Sequence, residues 1–101
     1  MDRVGILVVE DEQSQRSLLA GLLKKEGYTV DEAEDGAMAY GLLQKGIFEI
    51  VLLDYRLPDT DGLTLLKKIK ELNPSTEIVM ITAFGSIENA VGALMAGASE
   101  Y

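Results

Sequence analysis

The sequence contains neither cysteine nor histidine. The absence of cysteine excludes disulfides, thiolate nucleophiles and cysteine metal sites, and it suits a reducing compartment. The absence of histidine excludes Ser-His-Asp and Cys-His catalysis together with every imidazole metal site. Carboxylates, hydroxyls and amines remain as reactive side chains, so any bound metal should be a hard cation that prefers oxygen ligands.

Long apolar runs and an excess of positive charge are also missing. The longest apolar runs, such as residues 4–9 and 78–81, fall far short of the ~20 residues that a membrane-spanning helix needs. The first residues lack the features of a secretory signal, so we expect a cytoplasmic protein with no membrane partner. The formal net charge of -8 removes the attraction to phosphate backbones, so this segment should not bind nucleic acid directly.

Length and composition predict one packed domain over residues 1–101. A chain of 101 residues lies well below the size at which separate cores become the norm. Its hydrophobic fraction of 48% and charged fraction of 26% are typical of globular proteins. The glycines at 36, 41 and 46 are evenly spaced, but their flanking residues do not repeat. They suit tolerated positions at a helix start, interior and end.

Short runs rich in valine, isoleucine and leucine predict the strands. Residues 4–9, 50–53 and 78–81 have the continuous apolar character of strands that are buried on both faces. Residues 28–33 form a weaker run that suits an edge strand. Residues 98–101 predict the start of a fifth strand.

Four stretches with helical periodicity lie between and after these runs. Their apolar positions are Leu18, Leu19, Leu22 and Leu23; Ala39, Leu42 and Leu43; Leu65, Leu66, Ile69 and Leu72; and Ala90, Val91 and Leu94. A stop signal follows each stretch, in turn Gly27, Gly46, Asn73-Pro74 and Gly97. This alternation predicts an α/β fold, a parallel sheet wound by right-handed crossovers and covered by helices. The arrangement that we expect for it is the doubly wound, flavodoxin-like sheet with strand order 2-1-3-4-5.

Acidic and hydroxyl side chains follow three of the predicted strands. Glu10, Asp11 and Glu12 follow the first, Asp54 follows the third and Thr82 follows the fourth. Ligands of such sheets bind outside the carboxyl ends of the strands, and the order 2-1-3-4-5 makes these three strands neighbours. Clustered carboxylates repel, so at least one should be driven towards its protonated form unless a cation joins them. With oxygen ligands only, Mg²⁺ is the natural cation.

Several of the acidic residues also have a purely structural interpretation. Asp11 or Glu12 could cap the first helix, because acidic residues at a helix start accept hydrogen bonds from free backbone N–H groups. Asp59 and Asp61 suit a loop turn and the cap of the third helix. Capping does not explain Asp54, which is followed by Tyr-Arg-Leu-Pro instead of a helix.

Four short motifs in register resemble the receiver domains of bacterial two-component response regulators. They are Val-Val-Glu-Asp-Glu at 8–12, Leu-Leu-Asp-Tyr-Arg-Leu-Pro at 52–58 with Gly62, Met-Ile-Thr-Ala at 80–83, and Ala-Gly-Ala at 96–98 with Tyr101. Each motif alone is unspecific, but together they fall on the expected strand ends and the resemblance covers the whole chain.

The resemblance implies a role for each residue at the strand ends. Asp54 resembles the phosphoacceptor, whose carboxylate attacks phosphorus to give an acyl phosphate. Asp11, and Glu10 directly or through water, resemble the acidic pair that holds Mg²⁺, and the backbone carbonyl of Arg56 resembles a further ligand beside Asp54. Glu10 stands where the family usually has aspartate, so the longer side chain should alter how the ion is held.

Two further residues resemble the switch of the family. Thr82 resembles the hydroxyl that bonds a phosphoryl oxygen, and Tyr101 resembles the aromatic residue that turns inward with it. From the residues alone, a β-branched strand residue and a half-buried tyrosine describe them equally well. Residues 82–91 resemble the nitrogen-regulator class, in which a receiver controls an ATPase and a DNA-binding domain.

The function implied is a phosphorylation switch and not an enzyme in its own right. A sensor histidine kinase would phosphorylate Asp54 in the presence of Mg²⁺, and an output domain beyond residue 101 would respond by activating transcription. Two alternatives stay open. One is a receiver-like module that signals by binding without phosphate, and the other is an aspartate-nucleophile phosphohydrolase, although that class needs a second aspartate where this chain has Arg56.

The end of the sequence departs from the family pattern. The family continues past this tyrosine to a lysine at the end of the fifth strand and then to a final helix. We therefore expect a piece of the domain that is truncated at the start of the fifth strand. Without the final helix, an apolar sheet face beside the first helix should be bare, so we expect a homodimer, domain swapping or low stability.

Overall fold

The computed structural model describes residues 4–81 of the chain. In this range four strands alternate with three helices. The strands are β1 (Gly5–Val9), β2 (Thr29–Ala33), β3 (Ile50–Asp54) and β4 (Glu77–Ile81). The helices are α1 (Gln13–Lys25), α2 (Gly36–Lys45) and α3 (Gly62–Leu72). The predicted fourth helix and fifth strand lie outside the described residues.

The strands form one parallel sheet in the order β2-β1-β3-β4. This order confirms the predicted arrangement 2-1-3-4, with β1 and β3 adjacent in the middle. Val9 at the end of β1 is the register partner of Leu53, and Asp54 at the end of β3 is the partner of Ile81. The register therefore brings the carboxyl ends of β1, β3 and β4 to one edge of the sheet.

Alternate residues of each strand face two separate cores. The larger core lies under α2 and α3 and includes buried residues from all four strands, namely Leu7, Val9, Ala33, Val51, Leu53, Ile78 and Met80. The smaller core lies under α1, where Ala20 packs with Ile6, Val8 and Val30. Burial of these apolar side chains from water is the main force that holds the layers together.

Burial on both faces was predicted for three strands, and the structure confirms it only for β1. In β3 and β4 the residues that face α2 and α3 are buried, while Ile50 and Leu52 on the other face are half-buried and Ile81 is 40% exposed. Within residues 4–81 the helix on that face is α1, which packs on β1 and β2. The apolar face of the two remaining strands is therefore only partly covered by the described residues.

Each helix begins at an acidic cap. The side-chain oxygens of Glu12, Asp35 and Asp61 accept the backbone N–H three residues further on, at 2.8, 2.8 and 2.7 Å respectively. Such caps satisfy backbone donors that have no partner inside the helix. The cap of α1 is thus Glu12, which leaves Asp11 available for the strand-end site.

The stop signals predicted for the first three helices lie at the helix ends, whereas Gly97 lies outside the described residues. Gly27 follows α1 with a φ of 98°, a left-handed conformation that glycine adopts without the steric cost of a side chain. Gly46 and Asn73 are the C-terminal caps of α2 and α3. Within residues 4–81, no helix is both long enough and apolar enough to cross a bilayer.

Candidate functional site

Three predicted carboxylates meet at the carboxyl edge of the sheet. Glu10 and Asp11 directly follow β1, and Asp54 is the last residue of β3. One carboxylate oxygen from each residue lies within 4.8 Å of the others. Glu10 and Asp54 are half-buried, whereas Asp11 is exposed. Three acidic oxygens at this spacing can surround one divalent cation.

The loop after β3 fixes the position of the Asp54 carboxylate. The backbone N–H of Arg56 donates to Asp54 Oδ1 at 3.2 Å, and the N–H of Gly62 donates to the carbonyl of Tyr55 at 2.6 Å. A Cβ on Gly62 would lie only 2.8 Å from the carbonyl oxygen of Asp54. Glycine at 62 therefore permits α3 to begin directly against the end of β3.

The electrostatics of the cluster oppose full ionisation of Glu10. Burial raises the pKa of the Glu10 carboxyl from 4.5 to about 7, with a hydrogen bond to Asp54 adding to the rise. A hydrogen bond from the backbone N–H of Glu12 lowers the pKa and offsets part of this effect. The direction of this shift agrees with the predicted one, but burial contributes more to it than repulsion from Asp54. A cation would remove the repulsion that favours the proton.

An open cavity of about 400 Å³ lies over the carboxylates. Its wall is formed by the β1–α1 and β3–α3 loops, with Glu10, Asp11, Glu12, Gln15, Asp54, Arg56, Leu57 and Pro58. The cavity has room for a hydrated cation together with a phosphoryl group. Arg56 lies beside the cluster as predicted, and the role of its carbonyl as a ligand stays a prediction.

The two switch residues, Thr82 and Tyr101, lie outside the described residues. Ile81, which directly precedes Thr82, is the register partner of Asp54. The chain therefore leaves β4 next to the end of β3, where the prediction needs it. The switch roles of Thr82 and Tyr101 stay predictions.

A link between the β3–α3 loop and α2 was not anticipated from the sequence. The carboxylate of Asp59 accepts hydrogen bonds from the N–H groups of Gly36 at 2.8 Å and Ala37 at 2.9 Å. These bonds lower the pKa of Asp59. Asp59 therefore stabilises the first turn of another helix, whereas the sequence suggested only a loop turn.

Gly36 is required by this link. A Cβ at Gly36 would lie 2.5 Å from Thr60 Cγ2, whereas a Cβ at Gly41 or Gly46 would meet nothing within 4 Å. The interpretation of Gly36 as merely tolerated was thus wrong, although it holds for the other two. The sequence did contain a sign of this constraint, namely a glycine directly after the capping residue Asp35, at a position where residues that favour helices are preferred.

Comparison with known proteins agrees with this geometry. A family model described as "Response regulator receiver domain" matches residues 6–101. The chain belongs to the response regulator receiver domain family. The fold and family predicted from the four motifs are therefore confirmed, and the receiver domain is a signalling domain.

Relatives of this receiver domain include a curated regulator and two solved structures. Transcriptional regulatory protein ZraR of Salmonella typhimurium is 43% identical over 99 residues, which make up 98% of this chain and 22% of ZraR. A response regulator from Burkholderia pseudomallei with a phosphorylated aspartic acid, a calcium ion and citrate has a TM-score of 0.93 at 32% identity, covering 99% of this chain and 58% of that one. The receiver domain of NtrX from Brucella abortus has a TM-score of 0.88 at 40% identity, covering 94% of this chain and 81% of that one.

ZraR and NtrX are regulators of the nitrogen-regulator class, which confirms the class predicted from residues 82–91. The chain spans about a fifth of the length of the ZraR relatives that it matches.

Proposed function

We propose that this receiver domain accepts a phosphoryl group on Asp54 from a partner sensor histidine kinase, in a transfer that depends on Mg²⁺. The observation that carries the proposal is the approach of Glu10, Asp11 and Asp54 to within 4.8 Å at the carboxyl edge of the sheet. This is where ligands of doubly wound parallel sheets bind.

The donor atoms fit Mg²⁺ better than a softer ion. They are carboxylate oxygens, which hard cations prefer, and their number leaves room for the waters that Mg²⁺ usually retains. Glu10, Asp11 and Asp54 would hold the ion, with the carbonyl of Arg56 as a further ligand. When bound, Mg²⁺ supplies positive charge that neutralises the phosphoryl oxygens during transfer.

The residues of the chain then have distinct tasks. An oxygen of Asp54 attacks phosphorus, so that a P–O bond forms while the P–N bond to the histidine of the kinase breaks and its electron pair stays on nitrogen. The Arg56 N–H orients the carboxylate by holding Oδ1. The Thr82 hydroxyl would donate to a phosphoryl oxygen, and Tyr101 would turn inward in response.

The output is proposed to lie in the same protein, beyond residue 101. The chain covers only 22% of the length of ZraR, a transcriptional regulatory protein. We infer by this similarity that phosphorylation in the cytoplasm controls an ATPase and a DNA-binding domain, and thereby transcription. Helix and strand surfaces next to the phosphorylated aspartate would transmit the change.

The test is the mass of the intact protein after incubation with acetyl phosphate, with MgCl₂ or with EDTA. We expect a gain of one phosphoryl group that needs Mg²⁺ and is lost in Asp54→Asn. Asp31→Asn is the matched control, because Asp31 is exposed on β2 and the substitution makes the same chemical change away from the site. An undiminished gain in Asp54→Asn would refute the assignment.

A further inference from the structure

Arg16 connects three elements next to Glu10, a residue of the carboxylate cluster. It lies in the first turns of α1, and its side chain is only 13% exposed. Its Nη1 donates to the main-chain carbonyl of Glu10 at 2.8 Å, and its Nε lies 3.4 Å from Oε1 of Glu32 on β2. One guanidinium thus joins α1, the end of β1 and the edge strand β2.

Both backbone polar groups of Glu10 are held by hydrogen bonds. The N–H of Glu10 donates to the carbonyl of Ala33 at 3.0 Å, and its carbonyl accepts from Arg16. The backbone N–H of Arg16 also donates to the carbonyl of Glu12 at 2.9 Å. The turn that carries Glu10 and Asp11 is therefore held at its start, and its end is held by the first turn of α1.

We propose that Arg16 is a positioning residue for the divalent-cation site and that Glu32 holds Arg16 in place. The inference rests on the proposed function, because it assumes that Glu10, Asp11 and Asp54 bind Mg²⁺. Arginine suits the task, since its planar guanidinium presents several donors in a fixed geometry and can serve a carbonyl and a carboxylate together. Groups that orient metal ligands in this way typically change metal affinity by about 10–100-fold when they are replaced.

Arg16 acts on the site by fixing geometry and not by its charge, because the guanidinium is already paired with Glu32. The Glu32 carboxylate, 33% exposed, faces the guanidinium and neutralises much of its charge. The bond from Arg16 reaches the backbone carbonyl of Glu10 and not its carboxylate. Loss of the bond should let the Glu10–Asp11 turn move while the side chains of the cluster stay unchanged.

The experiment is a titration of the intact protein with Mn²⁺, followed by the electron paramagnetic resonance signal of the free ion. Mn²⁺ is the probe because it accepts the same oxygen ligands as Mg²⁺. We expect about tenfold weaker binding in Arg16→Gln. Glu32→Gln should weaken binding in the same direction but less, and the double variant should bind no worse than Arg16→Gln alone.

Two control variants distinguish an effect of the position of Arg16 from an effect of lost charge or of misfolding. Lys24→Gln removes the same charge from an exposed site on α1 and should leave the affinity unchanged. Arg16→Lys should recover part of the affinity, since lysine can still donate to the Glu10 carbonyl. If Arg16→Gln does not fold, Glu32→Gln and Arg16→Lys still measure the effect.

Equal Mn²⁺ affinity in Arg16→Gln and the unsubstituted chain would overturn the inference and leave the proposed function intact. An equal loss in Lys24→Gln would also overturn it, because the effect would then be one of charge. Failure of the unsubstituted chain to bind Mn²⁺ would contradict the proposed function itself, and with it the role of Arg16.

Discussion

Glu10, directly after β1, and Asp54, at the end of the adjacent strand β3, bring carboxylate oxygens to within 4.8 Å of each other. Burial, and after it the neighbouring Asp54 carboxyl, raise the pKa of Glu10 to about 7, so that Glu10 can hold a proton near neutral pH. Mg²⁺ and the proton therefore compete for the same oxygens. The pH dependence of the site follows from this competition.

Mg²⁺ binding should weaken as the pH falls below about 7, the pKa of Glu10 in the metal-free chain. Protonation of Glu10 removes a ligand and one negative charge, so binding near neutral pH should release protons. Calorimetric titration in two buffers of different ionisation enthalpy measures this release. In Glu10→Gln the release should be largely lost, and an undiminished release would contradict the assignment to Glu10.

The raised pKa of Glu10 should also affect the pH dependence of the free energy of unfolding of the metal-free chain. The pKa of Glu10 in the folded chain, about 7, lies above its ordinary value of 4.5, so the folded chain binds more protons between these pH values. Its contribution to the free energy of unfolding therefore falls as the pH rises through this range. Urea unfolding at several pH values should show a flatter profile in Glu10→Gln. Identical profiles would show that Glu10 is not perturbed.

Replacing Gly36 or Gly41 of α2 by alanine should change the stability of the chain in opposite directions. Gly36→Ala should destabilise the chain by about 1–3 kcal/mol, because the new Cβ would overlap Thr60 Cγ2 at 2.5 Å. Gly41→Ala should stabilise it by about 0.5–1 kcal/mol, since a Cβ there meets nothing within 4 Å and alanine favours the helix. Urea midpoints of the two variants check both signs, and the same sign in both would refute the explanation.

Removal of Asp59 should destabilise α2 although Asp59 lies outside that helix. In Asp59→Ala the N–H groups of Gly36 and Ala37 lose their acceptor. Because the pKa of Asp59 is lowered in the folded chain, this stabilisation is present above its ordinary pKa and is lost as the pH falls through the folded value. The urea midpoint should drop at pH 7 but converge with that of the unsubstituted chain in acid. Asp31→Ala, at an exposed position of β2, should lower the midpoint less.

The alternation of strands and helices was sufficient to predict a parallel sheet, and with the flavodoxin-like strand order it predicted the meeting of Glu10, Asp11 and Asp54. The sequence could not decide whether Asp11 or Glu12 caps α1, since Glu12 lies one residue and Asp11 two residues before the helix. The bond between Asp59 and Gly36 joins residues 23 apart in sequence, and it depends on how two loops pack. Such contacts between loops follow from tertiary packing and leave no periodic pattern in the chain.

Association of copies is expected to involve the outer surface of α1. Leu18 and Leu22, one helical turn apart, are 66% and 55% exposed. Adjacent exposed apolar side chains favour self-association. Light scattering at increasing concentration should show dimers or larger species, and the double variant Leu18→Gln with Leu22→Gln should shift the protein towards monomer. A monomer at every concentration in the unsubstituted chain would contradict this expectation.

Reduction of the phosphorylated protein with borohydride tests the central claim most directly, because an acyl phosphate of aspartate is converted to homoserine. After treatment with acetyl phosphate and Mg²⁺, peptide mass spectrometry should find homoserine at residue 54 and aspartate at residues 11, 59 and 61. EDTA should abolish the conversion. Homoserine at another residue, or none at residue 54 under conditions where the intact protein gains a phosphoryl group, would contradict the account.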